Sequence, residues 1–211
     1  MRRSLRILTI LGILIAGLPS VAAADWALAP FIGRTFKGNT TLIDHEGGVP
    51  NGHWHFGAAV SMLGPGPFGI EGIFVNTLGF FEQENPSTTN GVPAVNIVKS
   101  RSIALMGNGV LAMPQRRTEY GLRPFVSGGI GLLHASATDF EDLTPVRTNL
   151  LGYNIGGGAI GYFTDRAGLR FDLRYFGTLK EREARPDEPM SVGPVISLRY
   201  WTAGVGFVFR Y

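Results

Sequence analysis

The chain has 211 residues, among them 30 glycines and no cysteine, and carries 19 basic against 16 acidic side chains. The missing cysteine excludes a disulfide framework, a thiol nucleophile and a cysteine metal site. Three of the basic residues, Arg2, Arg3 and Arg6, precede an apolar run from Ile7 to Leu18 and the small residues Val21 to Ala24, the layout of a secretory signal peptide cleaved near Ala24.

That run is shorter than the roughly 20 apolar residues of a spanning helix. Without residues 1–24 the charge balance becomes 16 against 16. A neutral chain with no basic stripe is a poor nucleic-acid surface. Residues 25–211 suit one domain. Their glycines are scattered through apolar segments. Inside a helix each costs about 1 kcal/mol relative to alanine, whereas the strands of a tight barrel have a use for them.

Eight strand-like segments follow in order. The first, Trp26 to Phe36, contains Pro30, which marks the start of a ladder or a bulge rather than a central strand. The second, His53 to Met62, puts Trp54, Phe56, Ala58, Val60 and Met62 on one face. The third, Phe68 to Phe81, sets Ile70, Phe74, Leu78 and Phe80 against Glu71, and the fourth, Arg101 to Met113, sets Ile103, Leu105, Leu111 and Met113 against Ser102, Asn108 and Ala112. The fifth and sixth run from Pro124 to His134 and from Leu150 to Phe163. In the seventh, Leu169 to Gly177, Leu169, Phe171, Leu173 and Tyr175 face away from Arg170, Asp172 and Arg174. The eighth, Trp201 to Tyr211, alternates large apolar residues with small or polar ones. A period of two means one greasy and one lean face per strand.

The links alternate in length. Gly64–Pro67, Pro114–Gly121 and Thr164–Gly168 are short, while Lys37–Asn51, Glu82–Val98, Ser136–Thr148 and Lys180–Pro194 are long and polar. Short turns at one end and long loops at the other, with aromatic residues near strand ends (Trp26, Trp54, Phe68, Phe80, Phe81, Tyr153, Tyr162, Phe163, Tyr175, Tyr200, Trp201, Tyr211), predict an all-β fold. The expected form is an eight-stranded antiparallel up-and-down transmembrane β-barrel with both ends on the periplasmic side.

The last strand, closing on Tyr211, resembles the assembly signal of bacterial outer-membrane barrels. Phe68-Gly-Ile-Glu-Gly, Leu105-Met-Gly-Asn-Gly, Arg123-Pro-Phe-Val-Ser-Gly-Gly-Ile-Gly, Gly152-Tyr-Asn-Ile-Gly-Gly-Gly and Phe163 to Phe176 resemble the "outer membrane protein beta-barrel domain" family, with its opacity and OmpX/OmpA-type relatives. The resemblance covers residues 25–211. It implies an outer-membrane location, surrounding lipid and lipopolysaccharide, and insertion by the barrel-assembly machinery through the strand ending in Tyr211. Because the family shares a fold rather than a reaction, the expected role is non-enzymatic: a monomeric surface or envelope protein, for adhesion or envelope integrity. A narrow channel for small or apolar solutes is the alternative.

Gly156-Gly-Gly-Ala-Ile-Gly161 has the dinucleotide spacing, but a turn and a strand follow it instead of a helix, so the motif lacks its meaning. His53 and His55 share a strand face, with His45 in the preceding loop; zinc needs further placed ligands, and rim histidines are the expected reading. No cofactor is expected. His134-Ala-Ser136, with Glu141 or Asp139 nearby, resembles lipid A deacylases, which makes a hydrolase the second alternative, although Ala137 replaces the asparagine of that pattern. On the lean faces Glu71, Arg170, Asp172, Arg174 and Arg210 fall inside a lumen that side chains fill. Buried charges there must pair, so Glu71 is expected to bond one or more of Arg170, Arg174 and Arg210.

Overall fold

A computed structural model describes residues 25–40, 48–49, 52–80, 97–114, 118, 121–139, 146–179 and 197–211. The strands are β1 (Asp25–Thr40), β2 (Gly48–Val49), β3 (Trp54–Leu63), β4 (Phe68–Leu78), β5 (Ile97–Ala112), β6 (Leu122–Asp139), β7 (Val146–Tyr162), β8 (Ala167–Thr178) and β9 (Leu198–Arg210). Each long strand pairs antiparallel with the next, and β9 pairs back onto β1, closing an eight-stranded barrel; β2 only extends β1 at Gly38 and Asn39. Residues 1–24, with the expected signal peptide, lie outside the described residues, as do His45, Phe81 and Glu141.

Following paired residues round the wall from Asp25 through Leu63, Gly69, Val110, Ser127, Gly156, Arg174 and Thr202 returns to Thr35, a stagger of ten residues. With about 3.3 Å per residue and about 4.8 Å between strands, the strands tilt by about 40°.

The period-two pattern decides which face turns inward. On β5, Ser102, Ala104, Met106, Asn108 and Val110 are buried while Leu105 and Leu111 are exposed. Ile130 and Ile155 are each 61 % exposed in the middle of their strands, amid Leu105, Val126, Leu132 and Leu151, also exposed. An apolar belt around a closed barrel is unfit for water and suited to hydrocarbon. Asp25 and Tyr211 lie at the end that carries the turn Gly64–Pro67, where the Tyr211 N–H donates to the Trp26 carbonyl at 2.9 Å.

Several expectations are corrected. Pro30 sits inside β1: the ladder to β3 runs through it opposite Ala58, while the ladder to β9 skips Ala29 and Pro30. The missing N–H is thus spent on the β9 side, and the register shift lies farther on, between Phe36 and Asn39. Strands β6 and β7 extend to Asp139 and from Val146, so Ser136 and Thr148 belong to the wall and the link between them is shorter than expected. Phe80 is buried rather than lipid-facing, because Gly79 takes φ +67° and breaks the alternation. Tyr200 is buried too: it shares the inward parity of Thr202, and Trp201 alone of that pair faces out.

Candidate functional site

The lumen holds the densest chemistry. Glu71 on β4 meets Arg170 and Arg174 on β8, with Glu71 Oε2 at 2.6 Å from Arg170 Nη1 and Glu71 Oε1 at 3.0 Å from Arg174 Nη2. Asp172, between the two arginines in sequence, accepts from Arg170 Nη2 at 2.6 Å and from Arg174 Nε and Nη2 at 3.1 Å each. Positions 170, 172 and 174 face inward together because they are two apart on one strand.

A ring of amides ties this quartet to the opposite wall. Asn108 Nδ2 on β5 donates to Glu71 Oε1 at 3.1 Å, Asn154 Nδ2 on β7 donates to Asn108 Oδ1 at 2.6 Å, and Arg174 Nη1 donates to Asn154 Oδ1 at 2.7 Å. The circuit skips β6, whose inward residue at this level is Gly129, paired with both Asn108 and Asn154. A Cβ at Gly129 would lie 2.7 Å from the Asn108 Cα, so glycine makes room for the amide. Two arginines and two carboxylates sum to zero, and Glu71, Arg170 and Arg174 are buried. The Arg170 guanidinium also lies over the Phe125 ring at 4.6 Å.

Stoppers lie on either side. Toward the long-segment end, Tyr200 stacks on Phe176 at 5.1 Å and meets Phe80 edge-on at 4.8 Å. Toward the short-turn end, Arg123 Nη2 donates to the carbonyls of Gly64 at 2.9 Å and Gly66 at 2.8 Å, and Nε donates to Met113 O at 2.9 Å. Between the charge cluster and the aromatic stopper a cavity of about 10 Å³ is lined by Phe31, His55, Asp172, Arg174, Phe176 and Thr202, which is room for one water molecule.

Glu71 thus pairs with two of the three expected arginines, and Arg210, expected in the same lumen network, stands apart from it. Its Nε is 3.5 Å from Asp25 Oδ2 and its guanidinium lies over the Tyr162 ring at 5.3 Å, because position 210 is at the short-turn end of β9. His55 is not at the rim: it is buried in the lumen, edge-on to Phe31. Among the described residues no group of three His, Asp or Glu side chains is placed to hold a metal ion. His134 and Ser136 have the outward parity of Ile130 and Leu132. His134 Nδ1 is 2.7 Å from Asn149 Oδ1 across the β6–β7 pair, so an amide stands where the hydrolase reading needs a carboxylate.

Sequence reasoning missed Asn154, Arg123 and the Phe176–Tyr200 stack as lumen residues. The parity of Asn154, two residues from Gly152 and Gly156 on the lean face, was the available signal for the first. Arg123 bonds backbone carbonyls, which leave no mark in a sequence.

No family model and no curated protein sequence matches the chain. Solved structures do. The chain is similar to Neisserial surface protein A (10 % identity, 89 % of this chain and 97 % of that one, TM-score 0.55), to the N-terminal β-barrel domain of Pseudomonas aeruginosa OprF (16 %, 89 % and 97 %, 0.51) and to OprG from Pseudomonas aeruginosa (12 %, 90 % and 96 %, 0.54). The chain has the fold of eight-stranded outer-membrane barrels.

Proposed function

We propose that this protein is a monomeric integral outer-membrane protein without enzymatic activity, whose lumen is a structural plug and whose work is done by the surface it presents to the exterior. The observation that carries this reading is the neutral, mutually bonded cluster of Glu71, Asp172, Arg170 and Arg174, with Asn108 and Asn154 completing its bonds and stoppers at Tyr200 and Arg123 on either side. Conduction would require breaking several charge-assisted bonds at once, each about twice as strong as a neutral one. The long-segment end then faces outward, for adhesion or envelope integrity; the similar Neisserial protein carries "surface protein" in its name. Insertion proceeds through the assembly machinery, which reads the last strand and Tyr211.

Single-channel recording in a planar bilayer tests the plug: the reading predicts no discrete conductance steps from the wild type, and regular steps would favour the channel alternative. A second reading, hydrolysis of an acyl ester in the surrounding glycolipid, draws on His134 and Ser136 sharing the outward face of β6, with Asn149 rather than a carboxylate on the imidazole. Mass spectrometry of lipid A from cells with and without the protein decides it, and a lipid A shortened by one acyl chain only where the protein is present would establish the enzyme.

A further inference from the structure

The outward wall at the long-segment rim is not uniform. Over five strands it is aromatic: Tyr153 on β7, Tyr175 on β8, Trp201 on β9 and Phe36 on β1 contact in succession at ring separations of 6.1, 5.3 and 6.4 Å, and Trp54 on β3 lies beneath the Arg34 guanidinium at 4.9 Å. Over β4 to β6 the girdle is interrupted. There the register sets Asn76 beside Ile103, Ile103 beside His134, and His134 beside Asn149; one step farther out, Leu78, Arg101 and Ser136 are neighbours. One step toward the membrane centre the row is wholly apolar and exposed: Phe74, Leu105, Leu132 and Leu151. The polar patch therefore begins where the hydrocarbon belt stops.

Within the patch the side chains are held in place. Arg101 Nε donates to Asn76 Oδ1 at 2.6 Å, which fixes the guanidinium against the wall. No carboxylate pairs with Arg101 among the described residues, unlike Arg170 and Arg174 in the lumen. Asn76 is fully buried in this outer wall, yet its Nδ2 has no hydrogen-bond partner, an uncommon deficit for a buried amide. His134, anchored through Nδ1 to Asn149, presents its other ring nitrogen away from that bond.

We infer that this sector, Asn76, Arg101, His134, Ser136 and Asn149, binds the phosphorylated sugar headgroup of an outer-leaflet glycolipid. Charge complementarity makes the assignment: a pre-oriented arginine fork with no carboxylate partner among the described residues suits a phosphate, while the amides, imidazole and hydroxyl around it suit sugar hydroxyls. The acyl chains then lie on the row Phe74–Leu105–Leu132–Leu151. The inference rests on the outer-membrane reading above and adds to it a defined site.

The test uses the full chain refolded into phosphatidylcholine nanodiscs containing a bis-phosphorylated lipid A, the dephosphorylated form of that lipid, or phosphatidylglycerol, with retained lipid counted by native mass spectrometry. Folding is checked by the gel-mobility shift of intact barrels. The wild type is expected to retain one lipid A molecule and to lose it about tenfold or more on dephosphorylation. Arg101→Ala is expected to show the same loss, Arg101→Lys a smaller one, and Arg34→Ala, which removes an equal charge from the aromatic sector, none. Equal retention by Arg101→Ala and the wild type would overturn the site, and retention of phosphatidylglycerol equal to that of lipid A would overturn the glycolipid assignment. A chain that fails to enter nanodiscs at all would overturn the outer-membrane reading itself, a result separable from insertion without retention.

Discussion

Removing the Glu71 carboxylate should be among the most damaging single changes in the barrel. Glu71 accepts from Arg170, Arg174 and Asn108 at 2.6, 3.0 and 3.1 Å. Glu71→Ala leaves two buried guanidinium groups facing one carboxylate, Asp172, so the lumen carries a net positive charge far from water. Deleting one member of a buried ion pair costs about 3–5 kcal/mol, since the remaining charge stays desolvated. Glu71→Gln keeps an acceptor for Asn108 and should fall between alanine and wild type. Glu71→Ala combined with Arg170→Ala restores neutrality, leaving Arg174 with Asp172, and should be less unstable than the two single losses added together, by about 0.5–3 kcal/mol. Urea unfolding in lipid vesicles, followed by fluorescence of the three tryptophans, measures each value. A Glu71→Ala barrel within about 1 kcal/mol of wild type would refute the claim that the cluster is desolvated and mutually dependent.

Other expectations follow from neighbouring geometry. Gly129→Ala drives a methyl group against the Asn108 backbone, at 2.7 Å from its Cα, and should destabilise by about 1–3 kcal/mol through overpacking in the same urea assay. Phe176→Ala empties the stack against Tyr200 and should cost about 3–5 kcal/mol, without producing conductance steps, because the charge cluster still closes the lumen. Arg123→Ala removes three bonds to turn carbonyls. Hydrogen bonds to a charged group contribute about 1.5–3 kcal/mol each, but the turn, open to solvent at Pro65 and partly at Gly66, regains water, so a net loss near the lower figure is expected, with faster amide exchange confined to Gly64, Gly66 and Met113. Zinc should leave the melting temperature unchanged, since His53 and His55 lack further ligands among the described residues; a rise of several degrees would restore the metal reading.

The wall of this protein is legible in its sequence because lipid outside and side chains inside impose a period of two on every strand. Leu169, Phe171 and Leu173 against Arg170, Asp172 and Arg174 give both the face and the charge cluster from spacing alone. What spacing cannot convey is stagger. Without the closing register between β1 and β9, the depth of Arg210 relative to Glu71 is open, and Arg210 lands instead beside Asp25. Glycine also hides information: Gly79 reverses the parity of Phe80, and nothing in the alternation announces it. The rim pairs Arg101–Asn76 and His134–Asn149 join residues that only the register brings together, so their polar neighbours read as strand ends rather than as one patch.

The central claim concerns direction: large apolar side chains outward into hydrocarbon, polar ones inward into a closed lumen. Because the chain has no cysteine, single cysteines can be placed along β9 from Thr202 to Phe209, spin-labelled, and scored for collision with oxygen, which concentrates in lipid, and with a water-soluble nickel chelate. The structure predicts a strict alternation, with labels at Ala203, Val205, Phe207 and Phe209 open to oxygen and closed to nickel, and labels at Thr202 and Val208, the lumen-facing positions that already carry a side chain, shielded from both. Oxygen accessibility without a period of two, or a lumen-facing set freely reached by nickel, would contradict it.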